Sequence, residues 1–325
     1  MSPPGGIRHT IAICTLNRGA VLAETLAALP PLLVSPECEL VVVDNGSTDG
    51  TSQVLSDFLR STKGNVRALR EPRAGLSAAR NRAVREASGE LLFFLDDDAV
   101  PAAGWLDAYI GIFRDPQVAA AGGPVEPVFD GPLPEWLDQR FLPYLSAWDR
   151  GGTSIDLYYN ELPRGANMAF RRSCFELYGD FLEQLGRRGA SLRSCEEVEL
   201  CLRLERGGER IVYVPEALVR HRVATGRLDM AWMQSRFAAQ GFSEAIIDWR
   251  HAGLRGLRAG FSSARNRAIR THLRASGSRE ADPLPGCLQR AFHGYRRGAV
   301  YALCCTARFA SPAGASLKPF SPPAA

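Results

Sequence analysis

From residue 10 to residue 101 the chain alternates short runs of β-branched and apolar residues with longer stretches whose apolar positions recur at helical spacing. Residues 10–15, 39–43, 66–70 and 91–95 read as strands, and 20–29, 51–61 and 76–86 between them as helices. Turn residues punctuate the joints: Asn45-Gly46 and Asp49-Gly50 after the second strand, Pro72 and Gly75 after the third, Gly89 before the fourth. Strands that alternate with helices predict an α/β fold, with a mainly parallel central sheet flanked by helices.

Beyond Pro101 the pattern loosens. A helix over 105–113 and a buried strand over 118–123 are expected, then a loop-rich, aromatic segment over 124–152. Regular signals return at 167–170, in a helix over 196–205 stopped by Gly207-Gly208, and in a strand over 211–214 closed by Pro215. The reading divides the chain into a flexible start (1–9), a catalytic domain (10–225), a basic, mainly helical C-terminal extension (226–310) and a disordered tail (311–325) rich in Pro, Ser and Ala. SAARNRAVR (77–85) and SARNRAIR (263–270) are similar, which is ascribed to chance between two Arg/Ala-rich helices.

Open α/β sheets bind ligands beyond the carboxyl ends of their strands. That rule collects Asn17 and Arg18, residues 44–49, residues 70–73 and Asp96 to Asp98, a set rich in carboxylates and arginines. The first turn lacks the glycine patterns of dinucleotide and P-loop sites, which argues against those enzymes.

The run LLFFLDDD (91–98) carries the sharpest chemistry. An apolar strand ending in three carboxylates is costly unless a cation or donors offset the repulsion. Side chains alternate along an extended segment, so Asp96 and Asp98 can face one way and Asp97 the other. Paired carboxylates suit a hard divalent ion such as Mg²⁺ or Mn²⁺, with substrate phosphates completing its shell. The competing reading is a solvated acidic turn that caps the following helix.

Composition narrows the class. With 46% hydrophobic and 23% charged residues the chain is a folded globular protein rather than a disordered one. The start, MSPPGGIRHT, has no apolar core of the kind a secretory signal needs, and the longest later apolar run, 299–305, falls far short of the roughly 20 residues that span a bilayer. No membrane span is expected, and a cytoplasmic location follows. The eight cysteines form no CxxC pair and no zinc-like spacing, so they read as free thiols. For the adjacent Cys304 and Cys305, packing is weighed against redox activity or acylation.

The sequence resembles the inverting family 2 glycosyltransferases of the GT-A fold. The resemblance lies in seven pieces in the family's order: IAICTLNR (11–18), ELVVVDNGSTDGT (39–51), RAGLSAARNRAV (73–84), LLFFLDDDAVP (91–101), RGANMAFRRSCFELYGDF (164–181), EEVELCLRL (196–204) and YVPEALVRH (213–221). It implies transfer of a sugar from a nucleotide-diphosphate donor to an acceptor hydroxyl. Asp44 would accept the nucleobase ring NH, with Thr15, Asn17 and Arg18 as base and ribose contacts and Arg80 as a further donor-nucleotide contact. Asp96 and Asp98 match the family's DxD. Asp96 would face ribose or metal, Asp98 would be the principal metal ligand, and Asp97 would be secondary. Glu197 takes the place of the general base in the family's ED pair, with Glu196 the fallback, because the family more often has Asp there. His221, after a buried-looking strand, is either a third metal ligand or a hydrogen-bonded core residue. Arg164, Gly165 and Asn167 match the G-x-N segment that borders donor sugar and acceptor, and Arg164 would hold phosphate or form a surface salt bridge.

Charge separates the two ends of the chain. Residues 251–325 carry a net +10 and residues 1–250 a net −6. A basic extension suits peripheral contact with anionic lipid at the inner face of a membrane, and with it a saccharide or lipid-linked acceptor in cell-envelope, exopolysaccharide or glycolipid synthesis. A solvated appendage or an oligomer contact is the plainer alternative. Nucleic acid is not expected, since no matching motif accompanies the charge. UDP is the favoured nucleotide. A nucleotidyltransferase and a non-catalytic sugar-nucleotide sensor are the competing functions.

Overall fold

The computed structural model describes residues 7–159, 161–275 and 283–304. Its first half follows the sequence pattern: β1 (His9–Thr15), α1 (Gly19–Ala27), β2 (Cys38–Asp44), α2 (Thr51–Ser61), β3 (Asn65–Arg70), α3 (Leu76–Glu86) and β4 (Leu91–Asp96). β5 (Ala99–Pro101), α4 (Trp105–Ile112), β6 (Val118–Gly122), β7 (Val125–Phe129), β8 (Ile155–Asp156), β9 (Asn167–Arg171) and α5 (Ser173–Tyr178) come next. The described chain ends with α6 (Glu196–Gly207), β10 (Arg210–Tyr213), β11 (Val219–Val223), α7 (Met230–Ala275) and α8 (Leu284–Cys304).

An eight-stranded sheet has the order β3-β2-β1-β4-β9-β6-β10-β8. β1 pairs in parallel with β2 and β4, and β2 with β3, so these four strands end on one edge. β9 runs antiparallel between β4 and β6, which brings Asn167 opposite Leu95, the last apolar residue before the carboxylates. Leu92 to Leu95 are at most 2% exposed. Burying each such side chain contributes about 1.5–3 kcal/mol, and that anchors the acidic strand end. The expected mainly parallel sheet with flanking helices is therefore present, with β8 and β9 antiparallel.

Two departures come from a second sheet of order β5-β11-β7. The segment expected to be loop-rich contains β7, a strand interrupted by Pro127 and only partly buried, whose parallel partner β11 lies about ninety residues downstream. His221 accordingly stands inside β11 rather than after a strand, opposite Ala99 of β5.

The C-terminal helices pack backbone to backbone. A Cβ at Gly294 would sit 1.9 Å from the Ala238 carbonyl oxygen, and one at Gly241 would sit 2.0 Å from that of Ala291. α7 breaks at Gly253, whose φ of 55° lies in the left-handed region that glycine adopts at little cost. Cys38, Cys174, Cys195 and Cys201 are buried free thiols, and Cys287 is buried as well. The tail expected to be disordered and Cys305 lie outside the described residues.

Candidate active site

The carboxyl edge of β1 and β4, the turn before β9 and the start of α6 enclose a cleft of about 1130 Å³ that α7 and α8 help to line. Its wall includes Thr15, Arg18, Arg80, Asp96, Asp97, Arg164, Gly165, Glu196, Glu197 and His221. Asn17, Asp44, Asp98 and Asn167 lie outside that wall.

The three carboxylates after β4 are not a solvated turn, because each has a cationic partner. Arg18 donates to Asp97 at 2.7 Å and to Asp98 at 2.6 Å, while Arg80 Nη2 lies 3.1 Å from Asp96. Thr15 adds a 2.6 Å hydrogen bond to Asp97. Arg227, from a segment without any motif, reaches Asp98 at 3.2 Å. Burial pushes the Asp97 carboxyl up against the pull of Arg18. For Asp98 burial acts in the same direction, but His221, Arg18 and Arg227 outweigh it and hold the group well below the carboxylate range.

Asp96, Asp98 and His221 offer ligand atoms that all lie within 4.8 Å of one another. His221 Nε2 is 3.2 Å from Asp98 Oδ1, and both side chains are nearly fully buried. Two carboxylate oxygens and one imidazole nitrogen are a donor set that fits Mn²⁺ or Mg²⁺. Asp97 points away to Arg18 and Thr15, as the alternation of an extended strand requires.

Arg80 joins three separate pieces of the sequence. Besides Asp96 it donates to Glu196 Oε1 at 2.5 Å and to the Gly165 carbonyl at 2.9 Å. A Cβ at residue 165 would sit 3.0 Å from that guanidinium, so any larger residue there would have to push Arg80 aside by a few tenths of an ångström. Glu196 is 3% exposed, and burial, reinforced by the Glu197 charge, pushes its carboxyl upward against Arg80. Glu197, beside it in the first turn of α6, is 9% exposed and has no ion-pair partner among the described residues. Its charge acts on both Arg80 and Arg164.

Asn167 is fully committed inside the protein. Its amide nitrogen donates to the Pro124 and Ala217 carbonyls, and its oxygen accepts from Trp105 Nε1 and the Tyr109 hydroxyl. With 0% exposure it sets the position of the Arg164-Gly165 turn and presents no atom to the cleft. Asn17 has a φ of 53° and accepts from Thr48 N, and Asp44 accepts from Ser47 N, so both shape the loop after β2.

The sequence model described as Glycosyl transferase family 2 matches residues 10–179, just over half of the chain. This chain belongs to glycosyl transferase family 2. Among family relatives, it is 26% identical over 247 residues to the glucosyl-dolichyl phosphate glucuronosyltransferase of Haloferax volcanii, covering 74% of this chain and 78% of that protein. It is 29% identical over 256 residues to the pre-mycofactocin glycosyltransferase of Mycobacterium tuberculosis, covering 77% of this chain and only half of that longer protein. The succinoglycan biosynthesis protein ExoM of Rhizobium meliloti is 28% identical over 230 residues, 70% of each chain. The fold is that of the GT-A glycosyltransferases: a mannosyltransferase from Pyrobaculum calidifontis, solved with GDP-Man and Mn²⁺, superposes with a TM-score of 0.56 at 19% identity, over 92% of this chain and 87% of that one.

Proposed function

We propose that this family 2 glycosyltransferase is a metal-dependent, inverting enzyme that moves a sugar from a nucleotide-diphosphate donor, with UDP the favoured nucleotide, to a saccharide or lipid-linked hydroxyl. The observation that carries this reading is the contrast at the start of α6. Glu196 is neutralised by Arg80, whereas Glu197 faces the same cleft as Asp96 and His221 without an ion-pair partner among the described residues. A carboxylate that faces the cleft without an ion-pair partner is placed to accept a proton from an acceptor hydroxyl.

Asp96, Asp98 and His221 would hold the divalent cation. When bound, it would neutralise charge on the departing diphosphate. Glu197 removes the proton of the acceptor hydroxyl, which attacks the anomeric carbon from the face opposite the leaving group. Arg80 keeps Glu196 and Asp96 from repelling that base. Thr15 and Arg18 orient Asp97 at the donor end of the cleft.

A lipid-linked or polysaccharide acceptor is supported by the names of the Haloferax and Rhizobium relatives, one acting on a dolichyl phosphate glycolipid and the other in succinoglycan biosynthesis, and contact with the inner face of a membrane belongs to the same reading. The extension adds support. Leu254, Phe261, Val300 and Leu303 are exposed on it, and Arg255, Arg258, Arg296 and Arg297 are exposed near them in sequence, an arrangement suited to an anionic lipid surface. No helix among the described residues is long and apolar enough to cross a membrane.

The test is incubation with UDP-, GDP- and dTDP-sugars and Mn²⁺, with product analysis. Release of nucleoside diphosphate is the expected result. Pyrophosphate release in a parallel incubation with nucleoside triphosphates and sugar 1-phosphates would assign a nucleotidyltransferase, and binding without turnover would assign a sensor.

A further inference from the structure

Three arginines in the cleft have guanidinium atoms that are buried and without a hydrogen-bond partner: Arg164 Nε, Arg187 Nη1, and Arg236 Nε and Nη1. Arg236 is only 9% exposed. No carboxylate lies within ion-pair distance of any of the three among the described residues. Arg236 has the Tyr144 ring at 6.0 Å, and the acid on the next turns of its own helix, Glu244, is turned to Arg267 at 3.6 Å. Guanidinium N–H groups that are buried and unpaired are unfavourable, the more so beside others of their charge, unless an anion completes the site.

The three come from unrelated places. Arg164 opens the turn before β9, and Arg236 stands two turns into α7, next to Phe237, which stacks on Tyr144 at 3.8 Å. Arg187 lies in the connection from α5 to α6, where its carbonyl accepts from Leu76 N at 2.8 Å at the start of α3. They are close enough to feel one another. Burial, together with Arg236 and Arg227, brings the Arg187 guanidinium down to about 10, and burial with Arg236 nearby also lowers Arg164. Arg187 senses Glu196 and Asp96 as well, and all three arginines line the same cleft as those carboxylates.

We propose that Arg187 and Arg236, supported by Arg164, form a phosphate-binding wall of the cleft, so that the C-terminal extension supplies part of the substrate site. Planar guanidiniums with free N–H groups match phosphate oxygens in paired hydrogen bonds. The phosphate belongs either to the donor's diphosphate or to a phosphate-bearing acceptor. The assignment rests on the transferase reading for the identity of those substrates, and the anion site itself is measurable without any transfer.

The experiment measures binding calorimetrically on the full chain with chelator present, using inorganic pyrophosphate, UDP, uridine and a polyprenyl phosphate in detergent micelles. Arg187→Gln, Arg236→Gln and the exposed-residue control Arg114→Gln are compared with the wild type. Pyrophosphate affinity is expected to fall at least tenfold in Arg187→Gln and Arg236→Gln and to stay unchanged in Arg114→Gln. A parallel loss for UDP with uridine unaffected assigns the wall to the donor, whereas a loss confined to the polyprenyl phosphate and pyrophosphate assigns it to the acceptor. Melting temperatures of the two variants should equal or exceed that of the wild type, because an unpaired buried charge has been removed. Unchanged affinity for all phosphate probes in folded variants overturns the proposal, as does a fall in melting temperature with affinity intact. Should the sugar-nucleotide panel show no transfer while pyrophosphate binding still depends on these arginines, the transferase reading fails and the anion site stands.

Discussion

Arg80 Nη1 lies 2.5 Å from Glu196 Oε1 across 116 positions of sequence, and the same side chain holds Asp96 and the Gly165 carbonyl. One buried cation thus fixes the spacing between the acidic strand end and the helix that carries Glu197. Arg80→Met would leave two carboxylates without a partner and should cost about 3–5 kcal/mol of stability. Urea denaturation checks it, and adding Glu196→Leu should restore part of the loss. A wild-type midpoint for Arg80→Met would refute the structural role.

Glu197→Gln should lower turnover by about 10²- to 10⁴-fold with nucleotide binding retained. Glu196→Gln should weaken the fold more than the chemistry, because its partner is Arg80. Steady-state kinetics beside melting curves separate the two. A well-folded Glu196→Gln enzyme with the larger turnover loss would move the base to Glu196.

Chelation should abolish transfer, and added Mn²⁺ should restore it. His221→Ala and Asp98→Asn should raise the Mn²⁺ concentration needed for half-activity by at least about tenfold. A Mn²⁺ titration of nucleoside diphosphate release measures this. Full activity in chelator would show that the cluster of Asp96, Asp98 and His221 serves only packing.

Asn167→Ala strands the Trp105 and Tyr109 donors and the Pro124 and Ala217 carbonyls inside the core. At about 1–3 kcal/mol for each orphaned group, a loss of several kcal/mol is expected even after partial relaxation. The KM for the donor should stay near wild type in the fraction that folds. A raised KM at unchanged stability would instead give Asn167 a substrate contact.

Burial raises Asp248 to about 6, against the hydrogen bond from the Tyr295 hydroxyl, while Glu244 adds to the rise. The folded protein then binds a proton that the unfolded chain has already released. Stability should fall as pH rises from about 4 through about 6. Melting curves across that range should slope less in Asp248→Asn, and an identical slope would place the titration elsewhere.

The alternation of apolar runs and helical stretches determined β1 to β4 and α1 to α3 by itself, because strand burial and turn chemistry are local properties. The carboxylate edge was equally legible, since LLFFLDDD forces an acidic end onto a buried strand. β7 and the placement of His221 in β11 were not legible. A short, half-exposed strand with a proline has no local signature, and its partner is remote in sequence. Only the tertiary structure decided which of two adjacent glutamates is free, because Arg80 neutralises Glu196 through a contact that no spacing along the chain encodes. The same holds for Arg187, Arg227 and Arg236. Each is one arginine among many until packing sets it against the cleft, where Arg227 meets Asp98 and the buried, unpartnered guanidinium atoms of Arg187 and Arg236 become informative through the cost of burying charge.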